Sequence, residues 1–164
     1  ALAALARQGT ADEWERLAVL SGLGKTAWPF LQVLHREDRK LLHSPPAGIQ
    51  VLLREVAALD GARQEESEIA GLIQWLGQIT DAEDVGAAIL LTGLGEGVAR
   101  RQQSLEQVLR APTAAMRAAA PRFDRIVKHA ETWVTSRSLD ESQRLLGFRL
   151  VARFDRWPCR ALDL

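Results

Sequence analysis

Ala87-Ala88-Ile89-Leu90-Leu91-Thr92-Gly93-Leu94-Gly95-Glu96-Gly97 can be read in two ways, and the choice decides the fold. As strand, turn and helix, it imitates the G-x-G-x-x-G fingerprint of a dinucleotide-binding β-α-β unit. That fingerprint needs a glycine at position 98, where this chain has Val98, and Glu96 would set a negative charge against a pyrophosphate. No β-α-β pattern surrounds the segment. As a helix, it is capped by Asp81, buries Val85, Ala88, Ile89, Leu91 and Leu94 at helical spacing, and ends in the glycines at 93, 95 and 97. The helical reading prevails, with small residues at the helix end allowing close packing.

Working outward, Leu91-Thr92-Gly93 repeats as Leu20-Ser21-Gly22 and Leu59-Asp60-Gly61, with a looser copy at Leu145-Leu146-Gly147. Each of the first three copies closes an apolar stretch. The leucines lie 39, 32 and 54 residues apart. Irregular spacing of about 30–50 residues with helix-only content is the pattern of degenerate HEAT or armadillo arrays.

The remaining helices follow from caps and periodicity. Residues 1–8 read as the second half of a helix. Thr10 caps the next, with Glu13 at capping-box spacing and Trp14, Leu17, Ala18 and Leu20 on one apolar face; Gly22 and Gly24 end it. Thr26 caps a helix with Pro29 in its first turn and Phe30, Leu31, Val33 and Leu34 buried. Residues 38–46 form a polar connection. Pro45-Pro46 then starts a helix carrying Ile49, Leu52, Leu53, Val56, Ala57 and Leu59, stopped by Gly61. Ile69, Leu72, Ile73, Leu76 and Ile79 place another helix over 65–79. Ser104 with Gln107 opens a short helix to about Arg110, and Pro112 and Pro121 read as first-turn prolines. A helix over 122–136 buries Phe123, Ile126, Val127, Ala130, Trp133 and Val134. Ser138 with Glu141 forms a capping box ahead of Leu145, Leu146, Phe148, Leu150, Val151 and Phe154, and Trp157-Pro158 breaks the pattern before a last turn.

No stretch shows sustained period-two alternation. The expected fold is all-α: a HEAT/armadillo-like right-handed helical-repeat array, an α-α superhelix of about nine to ten helices. Residues 1–164 form a single domain, with Leu20, Leu59, Leu91 and Leu146 in one continuous core. The chain opens without Met and closes in a helical pattern, which reads as a fragment of a larger multidomain protein.

Charge and composition narrow the chemistry. Lys plus Arg and Asp plus Glu number 21 each, so the basic surplus of a nucleic-acid binder is missing. Arg100-Arg101 and the Arg122, Arg125, Lys128 group are local exceptions and read as solvated helix faces. The one cysteine, Cys159, excludes an internal disulfide and a C-x-x-C-H haem attachment in this chain, and reads as a small buried hydrophobe. No apolar run approaches the length of about 18 residues that spans a membrane, so no membrane insertion is expected.

Gly22-Leu23-Gly24-Lys25-Thr26 imitates part of a phosphate loop, but Val19 stands where the first glycine belongs and a helix precedes it, so a helix–helix turn is the better account. His35, His43 and His129 are far apart, and no His or Cys lies four residues from another to ligate zinc. His35 and His129 read as helix-dipole partners or surface residues. Glu65-Glu66 and Asp81/Asp84 sit at helix starts, where they favour the dipole. Trp14, Trp28, Trp75 and Trp133 fall on apolar faces and read as core residues, with a partner-docking groove as the rival account. No nucleophile, base and orienter can be assembled at recognisable spacing. The expected site inventory is therefore no catalytic residue, no cofactor-binding residue and no metal ligand.

Three stretches, Trp14–Leu23, Leu52–Leu76 and Ala87–Arg101, in this order, resemble the HEAT-like helical region of the large planctomycete-type membrane-bound dehydrogenase or haem-binding proteins. They read WERLAVLSGL, LLREVAALDGARQEESEIAGLIQWL and AAILLTGLGEGVARR. The resemblance covers residues 1–110 well and the rest loosely. That family sets a sorbosone-dehydrogenase-like β-propeller first, then HEAT repeats, then a cytochrome c module. The resemblance implies a periplasmic or membrane-attached extracytoplasmic parent, whose c-type haem and catalytic residues lie in modules outside this chain. It implies a non-catalytic scaffold and spacer with no cofactor of its own, partnered by the flanking domains. The alternatives are a free-standing HEAT-like protein-interaction module and, behind it, a helical-repeat nucleic-acid-binding protein of the DNA-glycosylase kind.

Overall fold

In the computed structural model, residue 6 and residues 12–24, 27–63, 65–105 and 113–154 are described. Seven α-helices run along them: α1 (Glu13–Gly22), α2 (Ala27–Glu37), α3 (Ala47–Arg63), α4 (Glu66–Leu76), α5 (Asp84–Ala99), α6 (Ala114–Thr135) and α7 (Glu141–Phe154). A single 3-10 turn, Asp81–Glu83, leads into α5, and no strand occurs among the described residues. The all-α expectation is met. The expected helix over 104–110 lies outside the described residues beyond Leu105, as do Thr10, Thr26, Pro112, Trp157, Pro158 and Cys159.

The helices alternate between two layers. α1, α3, α5 and α7 neighbour one another in one layer, and α2, α4 and α6 in the other. α6 and α7 form the tightest pair across the layers, joined by the short 136–140 connection. Leu31, Leu34, Leu52, Leu53, Leu72, Ile73, Leu76, Leu90, Leu91 and Leu94 are fully buried in one cluster that runs through both layers. α5 is buried around its whole circumference, from Gly86 to Gly95, and it lacks a polar face for that reason.

The largest interface joins α3 and α5, and glycine makes it. The two helices run parallel, with Arg54 opposite Gly93 and, one turn on, Ala58 opposite Gly97. A Cβ on Gly93 would overlap the Arg54 carbonyl, and one on Gly97 the Ala58 carbonyl. Gly61 faces back from α3 onto Leu94, where a Cβ would also lie 2.9 Å from the Val98 nitrogen. Backbone meets backbone here, so the axes approach to the short end of the helix-packing range.

These contacts correct two expectations. Gly93, Gly95 and Gly97 do not end their helix; they lie inside α5, which continues to Ala99. Gly61 does not stop α3, which runs on to Arg63. Each interior glycine costs about 1 kcal/mol of helix propensity, offset by burial of the neighbouring leucines. The three Leu-x-Gly copies are consequently not equivalent: Gly22 ends α1, Gly61 lies near the end of α3, and Gly93 sits mid-way along α5. Leu91 is core, Leu20 and Leu146 pack partly buried against it, and Leu59 is only half-buried.

Caps differ from expectation by a residue or two. Asp12 caps α1, its carboxylate accepting the Trp14 N–H at 2.7 Å. Thr80, rather than Asp81, heads the 3-10 turn in a capping box with Glu83. Asp140, rather than Ser138, caps α7, accepting the Gln143 N–H at 2.8 Å. Pro121 is not a first-turn residue: α6 starts at Ala114, after the Thr113 cap, and passes through it. α1 turns a different face inward: Val19 and Leu23 are buried, whereas Trp14 is 79% and Leu17 46% exposed. Among the described helices, α1 has α3 as its layer neighbour and turns a narrow stripe toward it. Val33, Val134, Leu145 and Phe148 are likewise exposed rather than core.

The glycine contact yields a test with an internal control. Gly97→Ala should destabilise the protein by about 2 kcal/mol or more in urea denaturation, because backbone must move. Gly95→Ala meets nothing nearer than the Arg153 side chain at 3.6 Å. It should be neutral or stabilising by up to about 1 kcal/mol through helix propensity.

Candidate functional site

Three of the buried polar side chains, Glu83, Asp84 and Arg122, gather where the 3-10 turn enters α5. Glu83 and Asp84 are adjacent in sequence, both buried, and reach different helices. Glu83 accepts the Thr80 N–H at 2.8 Å and the Thr80 hydroxyl at 2.8 Å, and meets His35 Nε2 of α2 at 2.5 Å. Burial acts to raise the Glu83 carboxyl, but the Thr80 and His35 interactions outweigh it and hold the group below its ordinary value. The His35 ring in turn lies edge-on to Trp75 at 5.4 Å, and Trp75 stacks at a tilt on Trp28.

Asp84 reaches α6. One oxygen takes Arg122 Nη2 and the other His129 Nδ1. Arg122 is itself buried. It donates to the Ile79 carbonyl at 3.1 Å and the Thr80 carbonyl at 2.6 Å, and pairs with Asp81 at 3.0 Å. Arg122 is therefore no solvated face residue, as charge pattern alone suggests; it ties α6 to the end of α4 and the start of α5. Arg125 adds an exposed pairing to Asp81 at 3.5 Å, and Lys128 is exposed. His129 lies inside α6 and pairs with a buried carboxylate instead of a helix end. Arg101 donates to the Ala62 carbonyl at 3.0 Å, at the negative end of α3.

A third buried acid, Asp60, lies apart from this junction. It is fully buried on α3, and neither carboxylate oxygen has a hydrogen-bond donor. Burial first, then the charge of Glu68 on α4, push it up to about 7, against the opposing pull of Arg63. Protonated, Asp60 donates toward the neighbouring Glu68 of α4.

The third feature is a cleft of about 230 Å³ on the odd-helix layer. α5 forms its floor with Ile89 and Thr92, α3 one wall with Val51 and Arg54, and α7 the other with Leu145 and Arg149. Leu145 is 45% exposed, and Phe148, one turn along α7, is 60% exposed. Arg54 also lies 3.8 Å from Glu96.

The imitation motifs dissolve in this geometry. Gly93–Gly97 is helix interior, so its N–H groups are engaged in the helix and offer nothing to a pyrophosphate. Gly22 ends α1, and Gly24 turns the chain with a φ of +47°, as a helix–helix turn requires. His43 is exposed on the connection before α3. Among the described residues no three His, Cys, Asp or Glu side chains are placed to hold a metal ion, and no single helix is long and apolar enough to cross a membrane. Of the tryptophans, Trp75 is core, Trp28 and Trp133 pack partly buried against it, and Trp14 is outside it. The His35–Glu83 and His129–Asp84 pairs escape sequence reading because their partners lie 48 and 45 residues apart.

No protein-family model, curated protein or solved structure matches the chain.

Two outcomes follow from the buried charges. Asp84→Ala leaves Arg122 buried with the exposed Asp81 as its sole acidic partner; it should cost about 3–5 kcal/mol, and Asp84→Ala/Arg122→Met should recover part of that in a double-mutant cycle. The raised Asp60 binds its proton more tightly folded than unfolded. Its contribution is full below the unfolded value of 3.8 and is lost as pH rises through about 7. Urea midpoints of Asp60→Asn should therefore fall less than those of the wild type between pH 5 and pH 8, with the variant the more stable at the alkaline end.

Proposed function

We propose that this chain is a non-catalytic helical scaffold: a HEAT/armadillo-like array acting as rigid spacer and docking surface in a multidomain extracytoplasmic dehydrogenase or haem-binding protein. The observation that carries the reading is how the buried polar groups are used. His35, Glu83, Asp84 and Arg122 are each committed to a bridge between neighbouring helices, at the end of a helix already held backbone to backbone. Groups spent in this way stiffen an array. A spacer needs stiffness, since it sets the distance between the domains it joins. The alternation of helices between two layers, with α3 parallel to α5, supports the array itself.

The redox setting rests on the resemblance of Trp14–Leu23, Leu52–Leu76 and Ala87–Arg101 to the linker of that family. On this reading c-type haem and substrate chemistry belong to flanking modules, which are the chain's partners. A second reading, a free-standing interaction module, is favoured by the exposure of Trp14 and Phe148. The two are separated by reading the gene in both directions. A β-propeller upstream and a C-x-x-C-H motif downstream are expected for the spacer. A stop codon directly after Leu164 with no coding sequence upstream would overturn it.

A further inference from the structure

Trp14 and the cleft on the odd-helix layer are complementary in shape class, polarity and charge. Trp14 is 79% exposed at the start of α1, the largest apolar side chain in solvent among the described residues, and Leu17 follows it one turn on. Asp12, Glu13 and Glu15 surround it, all exposed. The cleft, at about 230 Å³, has room for one large aromatic side chain. Its lining is apolar at Val51, Ile89 and Leu145, and two guanidinium groups, Arg54 and Arg149, stand in its walls. Arginine is the side chain that stacks best on an indole face, and tryptophan is the commonest anchor of protein interfaces.

The charges around the two features are opposite. The segment from 113 to 154 carries eight Arg or Lys against four Asp or Glu, in a chain of zero formal net charge. Arg144, Arg149 and Arg153 all belong to α7 itself. The acidic start of α1 meets this basic helix with favourable sign, which steers encounter and fixes orientation. α1 and α7 are also the first and last described members of the same layer.

We infer that copies of this chain associate with each other, the Trp14 face of α1 in one copy seating in the α3–α5–α7 cleft of the next. The partner is a second copy because both halves of the contact are on this chain and Trp14, being in solvent, is not seated in its own cleft. Glu13 and Glu15 then face Arg149 and its neighbours. The contact holds whether or not the chain serves as a spacer, since it needs only residues present here.

Sedimentation velocity on the 164-residue chain, from micromolar to millimolar concentration, tests this. The weight-average mass should rise with concentration, and the rise should shrink as salt is added. Trp14→Glu and Leu145→Glu change exposed side chains, and circular dichroism verifies that each variant stays helical; Arg149→Glu serves as a second cleft variant. Each should weaken association at least about tenfold, as loss of an anchor does. An equimolar mixture of Trp14→Glu and Leu145→Glu should regain a heterodimer, because one retains the cleft and the other the tryptophan. A wild-type chain that stays monomeric at millimolar concentration would overturn the inference. So would association indifferent to Trp14→Glu, or a mixture no more associated than its components.

Discussion

The backbone contact between α3 and α5 is the constraint from which the rest of the structure is built. Three glycines remove the side chains that would hold the helices apart, and nothing larger than hydrogen fits at Gly93 or Gly97. With the axes this close, α5 sinks below the surface on every side. Its flanks are then met by α6 and α7 as well as α3. A residue with a Cβ at either position would not merely lose a contact. It would lift α5 toward the surface and expose Leu90, Leu91 and Leu94, which have no polar face to turn outward.

A helix so deeply placed has to begin somewhere, and its first turn brings backbone N–H groups and acidic side chains into the interior. The two carboxylates at that start, Glu83 and Asp84, point to helices on either side of α4: Glu83 to α2 through His35, Asp84 to α6 through Arg122 and His129. α2, α4 and α6 make up the even layer, so this one junction clamps that layer to the buried helix of the other. Buried ion pairs contribute little net stability against apolar replacements, but they penalise misplacement heavily. Here the penalty selects one register for α6, because Arg122 must reach two carbonyls and two carboxylates at once.

Helical content and the run of buried positions were legible because they depend on local spacing. Leu52, Leu53, Val56 and Ala57 on α3, or Leu72, Ile73 and Leu76 on α4, declare their faces within two turns. The glycines misled because the same residue ends an exposed helix and allows close approach in a buried one. Which role applies depends on a partner backbone 39 residues away, as for Ala58 and Gly97. Trp14 misled for the converse reason. Periodicity locates a stripe, and whether anything covers the stripe is a property of the neighbours. The polar junction was invisible because each bridge joins residues that have ordinary local explanations: an acid at a helix start, a histidine near a helix end, an arginine in a basic cluster.

The same asymmetry between neighbours explains where the exposed apolar residues lie. α3 and α5 each have a helix of their own layer on both sides, and every leucine and isoleucine of α5 is buried. Among the described helices, α1 and α7 have one such neighbour each, and between them they carry Trp14, Leu17, Leu145 and Phe148 in solvent. In an array each unit completes the burial of the one before it. α1 and α7 do not carry a wholly polar outer face. The charges beside their exposed apolar residues differ in sign: Asp12, Glu13 and Glu15 flank Trp14, and Arg144 and Arg149 lie near Phe148. Sorted charge around exposed apolar anchors is the arrangement of two surfaces that meet in a defined orientation.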